Sequence, residues 1–147
     1  MTLYQHYAKT EDTQGLYRVL LRLAELDPAD LKVQNNLAQI SLLLNADVDR
    51  ARRIAADLYR KEPSNAAYVS TYAFSLYAKG DANAAIKVMN TLREDQYRDP
   101  SLAAYYGIML AAAGERGKAR EYLQIGKTAT LLPEEKILID HAEATSK

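Results

Sequence analysis

The side chains best suited to holding a metal ion or moving a proton are two histidines, His6 and His141, which lie 135 residues apart. A site built from both requires the two ends of the fold to meet. Gly114-Glu115-Arg116-Gly117 has the Gly-x-x-Gly form that in some folds clamps an RNA backbone. Arg50, Arg52, Arg53, Arg60 and Lys61 concentrate positive charge of the kind that attracts phosphate, but Asp49, Asp57 and Glu62 interrupt it, as on a solvated helix face. There is no cysteine, which removes disulfides, thiolate zinc sites, iron–sulfur clusters and a thiol nucleophile. No Ser/His/Asp set, phosphate-binding loop or dinucleotide fingerprint is present. The expectation is a chain with no catalytic residue, no metal and no cofactor, and therefore not an enzyme.

The elements that must position any site follow from composition and period. The chain has 147 residues, 48% of them hydrophobic, enough for one domain with a core. Nineteen basic and 19 acidic residues give a formal net charge of zero, which excludes nucleic-acid binding by bulk charge. No apolar run approaches the roughly 20 residues that span a bilayer. Met1 to His6 lacks a basic region followed by an apolar core, so it does not read as a secretory signal; the composition fits the cytosol and a bacterial periplasm alike. Eleven tyrosines against one Phe and no Trp point to many half-buried rings with wet hydroxyls.

Several tracks recur at about 34 residues. Ala51, Ala85 and Ala119 are spaced 34 and 34; Ala38, Ala73 and Gly107 are spaced 35 and 34; Asn45, Gly80 and Gly114 repeat the same steps. Each period holds two amphipathic helices. Val69, Tyr72, Ala73 and Leu76 follow the i, i+3, i+4, i+7 pattern of a buried face, and Ala85, Ile86, Met89 and Leu92 form the stripe of the partner helix. Gly80-Asp81 ends one helix and caps the next; Asp99-Pro100 reads as a cap followed by a first-turn proline; Asp47 is the expected cap one unit earlier. Glu94 to Asp99 reads as a slightly extended connector. The small residues at 38, 73 and 107 face Ala51, Ala85 and Ala119 and let paired helices approach closely. Leu3 to Lys9 and Gln14 to Leu26 form a partial opening pair. Pro133-Glu134-Glu135 starts a last helix, with its acids explained by the helix dipole and Ile137, Leu138 and His141 on its inner face; Thr145 to Lys147 fray.

These features resemble the tetratricopeptide repeat, whose pattern runs through a bulky residue, a small tight-packing residue, Tyr, Ala, an aromatic and a late Pro. The matches are Leu37-Ala38, Ala51, Ala55 and Pro63; Val69, Tyr72-Ala73, Ala85, Met89 and Pro100; Ala103, Tyr106-Gly107, Leu110, Ala119, Leu123 and Pro133. The signature Trp is absent. The resemblance implies an all-α fold, a right-handed α-α superhelix or solenoid of antiparallel helix pairs. Its units are a partial repeat over 1–30, repeats over 31–64, 65–99 and 100–132, and a capping helix and tail over 133–147. An open superhelix keeps the two ends, and the two histidines, apart. The same resemblance places the first helix of each pair on a concave inner wall and the basic run on the outside. Asn35, Asn36, Gln39, Ser70, Thr71, Phe74, Tyr77, Tyr105 and Ile108 then line a groove for a peptide or helix. Asn35, Asn36 and Gln39 can pair with a peptide backbone, and Phe74, Tyr77 and Tyr105 can take an apolar anchor; the alternative is that these rings only pack between repeats. Lys32 has no groove Lys or Arg to match it in the next two units, which argues against a clamp for a partner's C-terminal carboxylate. Asn35 to Ala38 and Asp49 to Arg52 are also similar to C-terminal repeat tails of long bacterial proteins, some serving envelope or exopolysaccharide systems. The functional expectation is an interaction module or scaffold whose partner is another protein or peptide segment, not nucleic acid, and which has no transmembrane segment. The alternative is a structural or oligomerisation tail of a larger assembly.

Overall fold

The computed structural model describes residues 1–147. The chain is all-helical: α1 (Leu3–Lys9), α2 (Thr13–Leu26), α3 (Leu31–Leu44), α4 (Val48–Lys61), α5 (Ala66–Ala78), α6 (Ala82–Met89), a 3-10 helix at Glu94–Arg98, α7 (Pro100–Ala112), α8 (Arg116–Gly126) and α9 (Pro133–Thr145), with no strand. Helices adjacent in sequence pack on one another, and α3, α5 and α7 also pack side by side. No helix is long and apolar enough to cross a membrane.

Caps and turns fix the boundaries. Asp30 accepts from the backbone N–H groups of Lys32 and Val33 at 3.0 and 3.2 Å, Asn65 from Tyr68 at 3.2 Å, Asp81 from Ala84 at 3.0 Å and Asp99 from Ser101 at 2.9 Å. Between paired helices the chain turns through a left-handed residue each time: Asn45 at φ 52°, Gly80 at φ 96° and Gly114 at φ 84°. A residue without a Cβ, or Asn, takes that conformation at least cost. Gly114-Glu115-Arg116-Gly117 is therefore the α7–α8 turn and the opening of α8.

Small residues set the packing distance. Ala38, Ala73, Ala85, Ala103 and Ala119 are wholly buried. A methyl group on Gly126 would stand 2.6 Å from the Cα of Ala104, and one on Gly107 would stand 2.8 Å from Leu123 Cγ. The nearest neighbour of Gly107 is thus Leu123, one helical turn beyond the Ala119 expected from the sequence.

Other expectations are corrected. Asp47 precedes α4 but is itself left-handed, at φ 46°, and its side chain makes no capping bond. The helix α6 stops at Met89, so Leu92 lies beyond it. The connector after it winds into the 3-10 turn because Tyr97 has a place to go: its hydroxyl donates to the Met89 carbonyl, and its ring stacks on Tyr106 with centroids 4.4 Å apart. The residues α9 buries are Glu135, Ile139 and Ala142; Ile137 is 66% exposed and His141 is exposed. The tail is held at Ser146, which is buried and whose carbonyl accepts from Arg120 Nη1 at 3.0 Å, while Thr145 and Lys147 are exposed.

The largest correction concerns the ends. Tyr4 and Thr13 donate to Glu135 and Glu134 across more than a hundred residues, and Lys136 Nζ lies 3.6 Å from Glu11. Leu132 is buried in one apolar cluster with Ala8, Leu16, Leu20, Leu37 and Ile40. A strongly apolar Leu131-Leu132 pair cannot be left in water when the opening helices offer an uncovered apolar face, so the last segment folds back onto the first.

Candidate functional site

Six of the nine residues expected to line a groove converge on one open cleft of about 190 Å³: Asn35, Asn36 and Gln39 from α3, Ser70 and Thr71 from α5, and Tyr105 from α7. Asp99 and Ser101, near the start of α7, also line it, together with the apolar Ala66, Ala67 and Leu102. The i, i+1, i+4 spacing of the α3 residues puts their three amides along one edge. Gln39 Nε2 donates to the Tyr105 hydroxyl at 2.9 Å, which ties α3 to α7 across the cleft floor. Asn36 is exposed and Ser70 half-buried, while Asn35 is buried and its Oδ1 has no hydrogen-bond partner. The lining holds no Lys or Arg and one carboxylate, Asp99. Such a surface offers amides and hydroxyls to a peptide backbone and gives no cation to a terminal carboxylate.

The apolar half of the expected groove is closed. Phe74, Tyr105 and Ile108 are each 3% exposed, so they offer no ring or chain to a visiting ligand. Phe74 meets Tyr105 edge-on at 5.0 Å and stacks with Tyr77 at 5.7 Å. These rings pack between α5 and α7, the alternative that the sequence left open. Tyr77 is half-buried, and burial pushes its phenol pKa up. Burial also pushes up that of Tyr105, while the Gln39 bond pulls it down.

Beside the cleft stands a buried group that the sequence did not single out. Glu135 is 2% exposed. Its carboxylate accepts from the hydroxyls of Tyr4 and Tyr105 and, at 2.9 Å, from the Leu132 backbone N–H. Burial pushes its pKa from 4.5 up to about 7, with the Leu132 bond pulling the other way. Glu134-Glu135 after a proline looks like ordinary helix-start chemistry, and only Leu131-Leu132 just before it signals that this start is buried. Elsewhere, no three metal-ligating side chains come together. In the basic run Arg52 pairs with Asp49 at 3.5 Å and Arg60 pairs with Asp57, both i, i+3 contacts on α4. No protein-family model matches the chain, and no curated protein does.

Proposed function

We propose that the chain is a non-enzymatic interaction module of tetratricopeptide type, its helix pairs stacked in a right-handed superhelix, that binds an extended peptide segment of another protein in the cleft between α3, α5 and α7. The superhelical reading rests on equivalent left-handed turns at Asn45, Gly80 and Gly114 and on buried small residues at Ala38, Ala73 and Gly107. The observation that carries the binding reading is the cleft itself: three helices far apart in sequence bring amides and hydroxyls to one concave, solvent-open surface, where Asn36 is exposed, Ser70 is half-buried and Gln39 bonds Tyr105. Buried polar atoms are ordinarily paired, so the lone Asn35 Oδ1 marks a place where the free protein leaves bonding capacity unused. The ligand is recognised mainly through its backbone, since the rings that would take a side-chain anchor are buried.

The test is selection of a random peptide library on the chain, followed by amide-shift mapping of an enriched peptide. Shifts centred on Asn36, Gln39 and Ser70, with binding lost in Asn36→Ala and Ser70→Arg, support the cleft. Enriched peptides that bind both variants as well as the parent rule it out.

The closed apolar groove favours a second reading, a structural or oligomerisation tail of a larger envelope-associated assembly. Concentration-dependent sedimentation of the isolated chain supports that reading, and a strict monomer counts against it.

A further inference from the structure

The polarity of the cleft is set from behind its floor. An ionised carboxylate only accepts hydrogen bonds, so the Tyr105 hydroxyl gives its proton to Glu135 and can only accept on its other side. Gln39 supplies that bond from Nε2 at 2.9 Å. The orientation of its amide is thereby fixed. The donor end is used on Tyr105, and Oε1 is the end left for the cleft that Gln39 lines. Two further acceptors line the same cleft. Asn35, one turn before Gln39 on α3, is 5% exposed, and its Oδ1 has no donor. Asp99 accepts from the Ser101 backbone N–H at 2.9 Å, and no lysine or arginine pairs with its carboxylate.

The three acceptors share one end of the cleft. The helices α3, α5 and α7 alternate with partners to which short turns join them, so all three run the same way. The Gln39–Tyr105 bond marks one point along them; Asn35 stands about 6 Å nearer the start of α3, and Asp99 about 9 Å nearer the start of α7. Nothing in the lining answers them, since Asp99 is its only charged residue and it holds no Lys or Arg. A buried acceptor without a donor is costly, and a ligand that brings the donor recovers that cost. A peptide backbone brings a carbonyl with every N–H and so adds acceptors to acceptors. An ammonium or a guanidinium brings several donors, no acceptor and a charge opposite to that of Asp99.

We propose that the segment bound in the cleft carries a lysine or an arginine, and that Gln39 Oε1, Asn35 Oδ1 and the Asp99 carboxylate hold its cationic head group. The inference rests on the reading of the cleft as a peptide site and adds the chemistry of the side chain that enters it. Asp99 has a second duty as the cap of α7, which Asn performs as well as Asp. Asn35 has no bond in the free protein that its oxygen would lose. Charge and acceptor can therefore each be removed without taking a bond from the fold.

The probes are four synthetic peptides, acetyl-Ala-Ala-X-Ala-Ala-amide with X as Lys, Arg, Gln or Glu. Each is titrated into the full chain at pH 8, above the Glu135 pKa of about 7, and followed by amide shifts. The Lys and Arg peptides should shift Asn36, Gln39 and Ser70 and bind at least about fivefold more tightly than the Gln peptide, with the Glu peptide weakest. Asp99→Asn should bring the Lys and Gln peptides close to equal. Asn35→Leu should also narrow the gap, while melting no lower than the parent because it removes a buried acceptor without a partner. The gap in the parent should shrink as sodium chloride is raised, which decides the matter if Asp99→Asn loses helical circular dichroism. Peptides that shift the cleft equally whatever X is leave the cleft standing and overturn the cationic side chain. So do a gap indifferent to salt, a gap that survives both variants, and Lys and Arg peptides that shift nothing. The peptide library selected on the chain tests the cleft itself, without reference to charge.

Discussion

Glu135 shows how one residue can make a fold respond to pH. Its carboxyl is 2% exposed and holds a pKa of about 7 against an ordinary 4.5, because desolvation outweighs the backbone bond it accepts. The folded chain therefore keeps the proton more tightly than the unfolded chain does. The contribution of this group is fully present below about pH 4.5, falls as pH rises to about 7 and stays lost above it. The size of the loss is on the order of 3 kcal/mol. Glu135→Gln keeps the neutral shape and removes the titration. Urea unfolding of parent and variant at pH 4 and pH 8 should show the variant gaining by about that amount relative to the parent over the interval. A stability difference that does not change with pH would show that the buried carboxyl is not the titrating group.

Helix starts differ in what they contribute. Asp30 accepts from two first-turn N–H groups of α3, so Asp30→Ala should cost about 0.5–2 kcal/mol. Asp47 stands at the same position before α4, but with φ 46° and no capping bond. A side chain in that region is strained, and a residue without a Cβ is not. Asp47→Gly should therefore be neutral or raise stability by up to about 1 kcal/mol. Thermal unfolding of the two variants separates these outcomes; a loss at position 47 as large as that at position 30 would contradict the difference in geometry.

At the scale of the molecule, α9 links two apolar clusters. The smaller holds α1, α2, part of α3 and Leu132, while the larger holds the remaining pairs with Ile139 and Ala142. Leu132 is wholly buried, and truncating such a leucine costs roughly 2–5 kcal/mol. That loss should fall unevenly. In Leu132→Ala, amide protection in α1 and α2 should drop well before protection in α5 and α7, because the smaller cluster loses its C-terminal member. Hydrogen exchange followed by mass spectrometry measures this, and a uniform loss along the chain would show that the two clusters unfold as one.

The amino-acid sequence determined the local layer of this protein. Alanine and glycine tracks, Asp and Asn caps, and turns at Asn45, Gly80 and Gly114 act within one or two helices, so the helical pairs were legible from spacing alone. The amide edge of the cleft was legible too, since Asn35, Asn36 and Gln39 share one face of one helix. Only the tertiary structure decided the state of Phe74, Tyr105 and Ile108, because exposure depends on how closely α5 and α7 pack. It also decided that Tyr97 packs on Tyr106 just beyond the end of α6 and that Leu132 and Glu135 close onto α1 and α2. Periodicity reports which face of a helix is apolar; it carries no information about which distant helix covers that face. The folding back of α9 rests on contacts between residues more than a hundred positions apart, and their partners exist only once the helices between them have packed.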